Sequence, residues 1–74
     1  MYTIRYIRDG QYVTDIGGPI RTLDSAIRQV KSLSNGLDTT ELEGIVGCRW
    51  TMTTGVICAL IVVNYIGQPI KSAE

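Results

Sequence analysis

The run Val56-Ile57-Cys58-Ala59-Leu60-Ile61-Val62-Val63-Asn64-Tyr65-Ile66 decides the fold. It is apolar at every position but Asn64. It is rich in β-branched Val and Ile, which suit a pleated strand better than a helix. Gly55 and Gly67 bracket it, and it carries no polar stripe of the kind a surface helix needs. It is also too short to cross a bilayer as a helix. It therefore reads as a long strand that is apolar on both faces. Alternation puts Val56, Cys58, Leu60, Val62 and Ile66 on one side and Ile57, Ala59, Ile61, Val63 and Tyr65 on the other.

A strand of this kind needs cover on both sides, and the upstream sequence offers one obvious cover. Leu23, Ala26, Ile27, Val30 and Leu33 recur at three- and four-residue intervals between Thr22 and Asn35, which predicts an amphipathic helix. Thr22 is a suitable N-cap, Asp24 suits the positive end of the helix dipole, and Asn35-Gly36 is a stop. Arg28, Gln29, Lys31 and Ser32 form its polar side.

The remaining segments supply partner strands. Tyr2–Arg8 alternates, with Tyr2, Ile4 and Tyr6 on one face. Asp9-Gly10 is a tight-hairpin signal, and Gln11–Ile16 follows as the second strand, ended by Gly17-Gly18-Pro19. Asp38-Thr39-Thr40-Glu41 resembles a capping box and predicts one turn of helix. Ile45–Met52 reads as a strand with Val46, Cys48, Trp50 and Met52 on one face, and Thr53-Thr54-Gly55 as the turn into the last strand. The expected fold is α+β: a ββαββ chain with one helix packed on a mainly antiparallel four-stranded sheet. It forms a single compact domain over residues 1–74, with a tail from about residue 69.

Nothing in this list covers the second face of the last strand, formed by Ile57, Ala59, Ile61, Val63 and Tyr65. Each fully buried Ile or Val contributes about 1.5–3 kcal/mol over its exposed state, so an open apolar face is a binding surface in waiting. The expected occupant is a second copy of the chain, giving a homodimer. The alternative is cover from within, by sheet curvature, the first hairpin, or Pro69 and Ile70.

Composition narrows the function classes. The chain has 74 residues, room for one domain. Its net charge is zero, against the positive excess of a nucleic-acid binder. Arg5, Arg8, Arg21, Arg28 and Lys31, with Tyr2, Tyr6 and Tyr12, keep nucleic acid as a third reading. There is no histidine, which removes Ser-His-Asp and Cys-His catalysis and most zinc sites. Neither a metal nor another cofactor is expected, and no catalytic residue is assigned. Cys48 has Arg49 beside it, but neighbours on a strand point to opposite faces, so the thiol gains no cation. A three-residue turn sets Cys48 opposite Leu60 and Cys58 opposite Trp50, diagonal neighbours that are expected to stay free thiols. Gly17-Gly18-Pro19 before the helix lacks both phosphate-loop spacings.

The sequence thus points to a non-catalytic protein acting by protein–protein contact, with a cytoplasmic location and no membrane segment as defaults. Candidate partner-binding residues are Arg28 and Lys31 on the helix and Asp38, Glu41 and Glu43 in the acidic segment, a bipolar surface suited to steered docking. Small size and missing chemistry are shared with phage proteins that block a host machine, of the anti-defence (anti-CRISPR-like) kind. A structural or assembly subunit of a virion or larger complex is the alternative.

Overall fold

The computed structural model describes residues 1–72. The hairpin comes first. β1 (Tyr2–Arg8) and β2 (Gln11–Ile20) pair antiparallel through Arg8 and Gln11. Asp9 and Gly10 hold φ of 54° and 77° between them. Positive φ at both central residues is the tight turn whose twist matches the strands, and an Asp-Gly pair adopts it at least strain. Gly17-Gly18-Pro19 does not end β2. The strand continues to Ile20, with three β2 residues (Gly17, Gly18 and Pro19) against one of β1 (Thr3) between the Ile4–Ile16 and Tyr2–Ile20 pairs. Gly17, at φ 77°, absorbs that irregularity. Pro19 is tolerated because β2 is an edge strand and needs no donor on its outer side.

The helix α1 spans Leu23–Leu33, with the Thr22 hydroxyl accepting from the Ser25 amide at 3.1 Å. A Thr22→Ala chain should lose about 1 kcal/mol of stability, read as a lower urea midpoint at unchanged slope. Ala26 and Val30 are fully buried, Leu23 and Ile27 half-buried, and Leu33 at the end of the stripe is exposed.

The rest is β3 (Thr40–Glu41), β4 (Gly47–Thr51) and β5 (Ile57–Asn64). The sheet is five-stranded in the order β2-β1-β5-β4-β3, antiparallel throughout. This corrects the four-stranded expectation. The additional strand is β3, in the segment expected to form a helical turn. Two β-branched threonines favour extended backbone there, and β4 offers an open edge, so Thr40 and Glu41 pair with Arg49 and Cys48. The doubly apolar strand, β5, takes the centre. β1 pairs with it from Cys58 to Asn64 on one side, and on the other β4 pairs with Ile57–Ile61 while Val46, Gln68 and Ile70 meet the backbone of Val62 and Asn64.

The register confirms the expected faces. Ile4 lies opposite Val62, Tyr6 opposite Leu60, Cys48 opposite Leu60 and Trp50 opposite Cys58. These side chains meet Ala26 and Val30 of α1 in the core, apart from Cys58, which is buried at its margin. The two cysteines are diagonal, as the turn length implied, and are free thiols.

On the second face the alternative expectation, cover from within, holds for two residues. Ile61 and Val63 are already buried in a single chain, at 6% and 1% exposure. Two local features cover them. Arg5 stands beside Ile61 in the register; its guanidinium donates to Asp15 at 3.1 Å and to the Gly67 carbonyl at 3.5 Å, and lies 4.7 Å from the Tyr12 ring centre. The chain after Asn64 folds back alongside β5, so that Pro69 bridges to Val63 and the Ile70 amide donates to the Val62 carbonyl, while the Ile70 side chain packs against the helix-side core. The Asn64 side chain accepts from the Ile66 and Gln68 amides and fixes this return. The segment expected as a tail from about residue 69 thus carries sheet contacts through Lys71, which bridges to Ile45. Ile57 stays open at 51% and Ala59 half-buried. Tyr65 lies past the strand end, in the turn, at 82%.

Candidate binding groove

The two-residue strand β3 sorts the acidic segment. Successive strand residues face opposite ways. Glu41 pairs with Cys48 and shares its helix-side face, while Thr40 pairs with Arg49 on the other. The sequence had grouped Asp38, Glu41 and Glu43 as one rim. In the fold Glu41 borders a cavity of about 410 Å³ between α1 and the Thr39–Cys48 stretch, whereas Asp38 borders a separate depression with Thr40, Arg49, Trp50, Thr51 and Ile57. Arg28 and Glu43 are exposed and border neither.

Helical spacing builds one wall of the larger cavity. Ile27, Val30, Lys31 and Ser34 recur at three- and four-residue steps and so line one face of α1. Lys31 lies in the last turn, where its charge suits the negative end of the dipole. Ser34 is buried, and its hydroxyl donates to the Val30 carbonyl at 2.8 Å. Leu42, Ile45, Val46 and Gly47 make the opposite wall, with Thr39, Glu41 and Ser72 around them. Cys48 lies at the bottom, 7% exposed. The result is a groove with an apolar interior, a cation on one side and an anion on the other. Its volume is within the range of natural ligand pockets.

Of the five residues proposed for partner contact, the fold brings Lys31 and Glu41 together around one cavity. Leu42, Ile45 and Val46 were missed as site residues. The signal was present: three apolar side chains in a stretch otherwise made of Asp, Thr, Glu and Gly. Among the described residues the one salt bridge is Arg5–Asp15, so Lys31 and Glu41 are not paired within 4.0 Å of any opposite charge. Among the described residues no group of three or more thiols and carboxylates converges there as metal ligands would.

A second polar contact sits inside the helix-side face, away from the groove. The Tyr6 hydroxyl and the Cys58 thiol are hydrogen-bonded at 3.5 Å, and Trp50 stacks on Tyr6 with ring centres 6.3 Å apart. The bond to Cys58, then burial, raise the phenol above its ordinary 10.0. The fold therefore favours the neutral phenol. That stabilisation is complete below the unfolded-state pKa of about 10 and is lost as pH rises through the higher folded value. Urea unfolding at pH 9 and pH 11 should show a larger loss for the natural chain than for Tyr6→Phe. Equal losses would remove Tyr6 as the cause.

No helix in the described chain is long and apolar enough to cross a membrane. No protein-family model, curated protein or solved structure matches this chain.

Proposed function

We propose that this chain is a non-catalytic binding protein that acts by occupying a surface on another protein. The groove between α1 and the Thr39–Cys48 stretch carries this reading. Its apolar interior lies between α1 and the segment that joins β3 to β4, and a surface formed before the partner arrives lowers the ordering cost of binding. A buried anchor inside a polar rim is the arrangement that concentrates binding energy at protein interfaces. The form of action we favour is blockade of a host macromolecular machine, of the phage anti-defence (anti-CRISPR-like) type. The small size of the chain supports this form, by analogy only.

A structural or assembly role is the second reading, favoured by the apolar side chains that stay open on the sheet's second face. Ile57 is exposed and pairs with Thr51, Ala59 pairs with Ile7, and Ile7 pairs with the exposed Tyr12. Self-association there would use Ile57 and Ala59, with Ile61 and Val63 farther along the same strand face already covered.

A tagged pull-down from nuclease-treated host lysate separates the readings, with the natural chain beside Ile57→Asp. One stoichiometric protein complex held by both chains supports the binding reading. Recovery of the chain alone, as an oligomer lost in Ile57→Asp, supports assembly. Capture abolished by nuclease would move the function to nucleic acid.

A further inference from the structure

We infer that the groove takes an extended polypeptide segment in which one apolar side chain lies between an acidic and a basic residue. This rests on the protein-binding reading and adds the chemistry of the partner. The interior of Ile27, Leu42, Ile45 and Val46 is only half-buried, so apolar surface there remains to be covered. An aliphatic side chain fits that surface and a polar one does not.

The rim then sets the charges. Lys31 stands on the helix wall and Glu41 on the strand wall. Both are exposed, and among the described residues neither has an ion-pair partner. A uniformly acidic segment would satisfy Lys31 and be repelled by Glu41, and a uniformly basic one the reverse. A segment with one charge of each sign on either side of the apolar residue complements both. Exposed pairs of this kind contribute little each, so the expected discrimination is about two- to fivefold per charge and fades at high salt.

The test is a chemical-shift titration of the isotope-labelled full chain with four blocked peptides at low salt. These are Asp-Gly-Leu-Gly-Lys, Asp-Gly-Leu-Gly-Asp, Lys-Gly-Leu-Gly-Lys and Asp-Gly-Gly-Gly-Lys. The mixed-charge leucine peptide should bind tightest, shift the amides of Val30, Val46 and Cys48, and lose that effect when glycine replaces leucine. In Lys31→Glu the preference should move to the all-basic peptide, and in Glu41→Lys to the all-acidic one. Both positions are exposed, so both variants should keep the dispersed spectrum of the natural chain.

Three results would overturn the inference. One is no shift in the groove with any leucine peptide at millimolar concentration. Another is the same ranking of peptides in all three chains. The last is movement of the same amides on dilution without peptide, which would give the groove to a second copy. A protein captured equally by the natural chain and by both charge variants, with the peptides silent, would leave the protein-binding reading standing on another surface.

Discussion

Gly47→Ala should destabilise the fold by about 3 kcal/mol, as overpacking against fixed backbone does at its upper range. A β-carbon at this position would collide with the Leu60 carbonyl oxygen and lie 3.0 Å from Ile61 Cα and 3.1 Å from a Leu42 methyl. The first two obstacles are main chain of the central strand, so no rotamer change relieves them. Relief requires β4 to draw away from β5 at the Gly47–Ile61 pair. A chain of this length has a total stability of only about 4–11 kcal/mol. The melting temperature should fall by roughly 12–24 °C. Gly55→Ala is a useful contrast. Gly55 also has positive φ, 88°, but a β-carbon there meets nothing within 4 Å, so only backbone strain remains. The measurement is thermal unfolding of both variants beside the natural chain. If Gly47→Ala melts no lower than Gly55→Ala, the close approach of β4 to β5 is not what Gly47 permits.

Leu60→Asp and Ile61→Asp should both leave the chain unfolded at 25 °C. Leu60 faces α1 with Ile4, Cys48 and Val62 around it. Ile61 faces the other way, under Arg5 and beside Gly47. Each is at least nine-tenths buried. An uncompensated carboxylate in such a place costs several kcal/mol whether it stays charged or takes up a proton to become neutral, a large part of the whole stability. The Ile61 result is the more informative. Read from sequence, Ile61 was a candidate for a subunit interface, where Asp was expected to give a monomer or an insoluble chain. Read from the fold, it belongs to the interior of one chain, and Asp should abolish the far-ultraviolet signature of structure at any concentration. A folded Ile61→Asp monomer would restore the interface placement. Arg5 does not rescue the charge, because its guanidinium is already engaged by Asp15, Gly67 and Tyr12.

These two residues show where sequence reading stops. The alternation in β5 was legible and correct: Ile61 and Leu60 do face opposite sides. The cover beside Ile61 and Val63 was legible only as the alternative to a second copy. It comes from an arginine of the first hairpin and from a chain reversal that brings Pro69 beside Val63, and neither follows a hydrophobic period. Long charged side chains lay their methylene stems over apolar surface while the head stays in water, so Arg5 counted as polar although it does the work of cover. The reversal depends on one side chain, Asn64, accepting two amides, a signal no different from any other polar residue at a strand end.

The groove divides in the same way. The helix wall was legible, because Ile27, Val30 and Lys31 follow from a strong period and clear caps. The opposite wall was not. The Asp38–Glu41 segment has the spacing of a capping box, and local spacing favoured a helical turn. β4 instead presented an unpaired edge at that point, and Thr40 and Glu41 joined it as β3. This pairing split the acidic residues between two faces and set Glu41 across the cavity from Lys31.

The sequence by itself determined the helix and its N-cap, the Asp-Gly hairpin, the turn that sets Cys48 against Leu60, and the strand that is apolar on both faces. All of these rest on contacts within a few residues or on a periodic pattern. Only the tertiary structure decided the fifth strand, that Ile61 and Val63 find cover within one chain, and the placement of Lys31 and Glu41 around one groove. Those depend on which backbone edges are left open once the long strands have assembled, and an open edge is a property of the folded sheet that no short window of sequence contains.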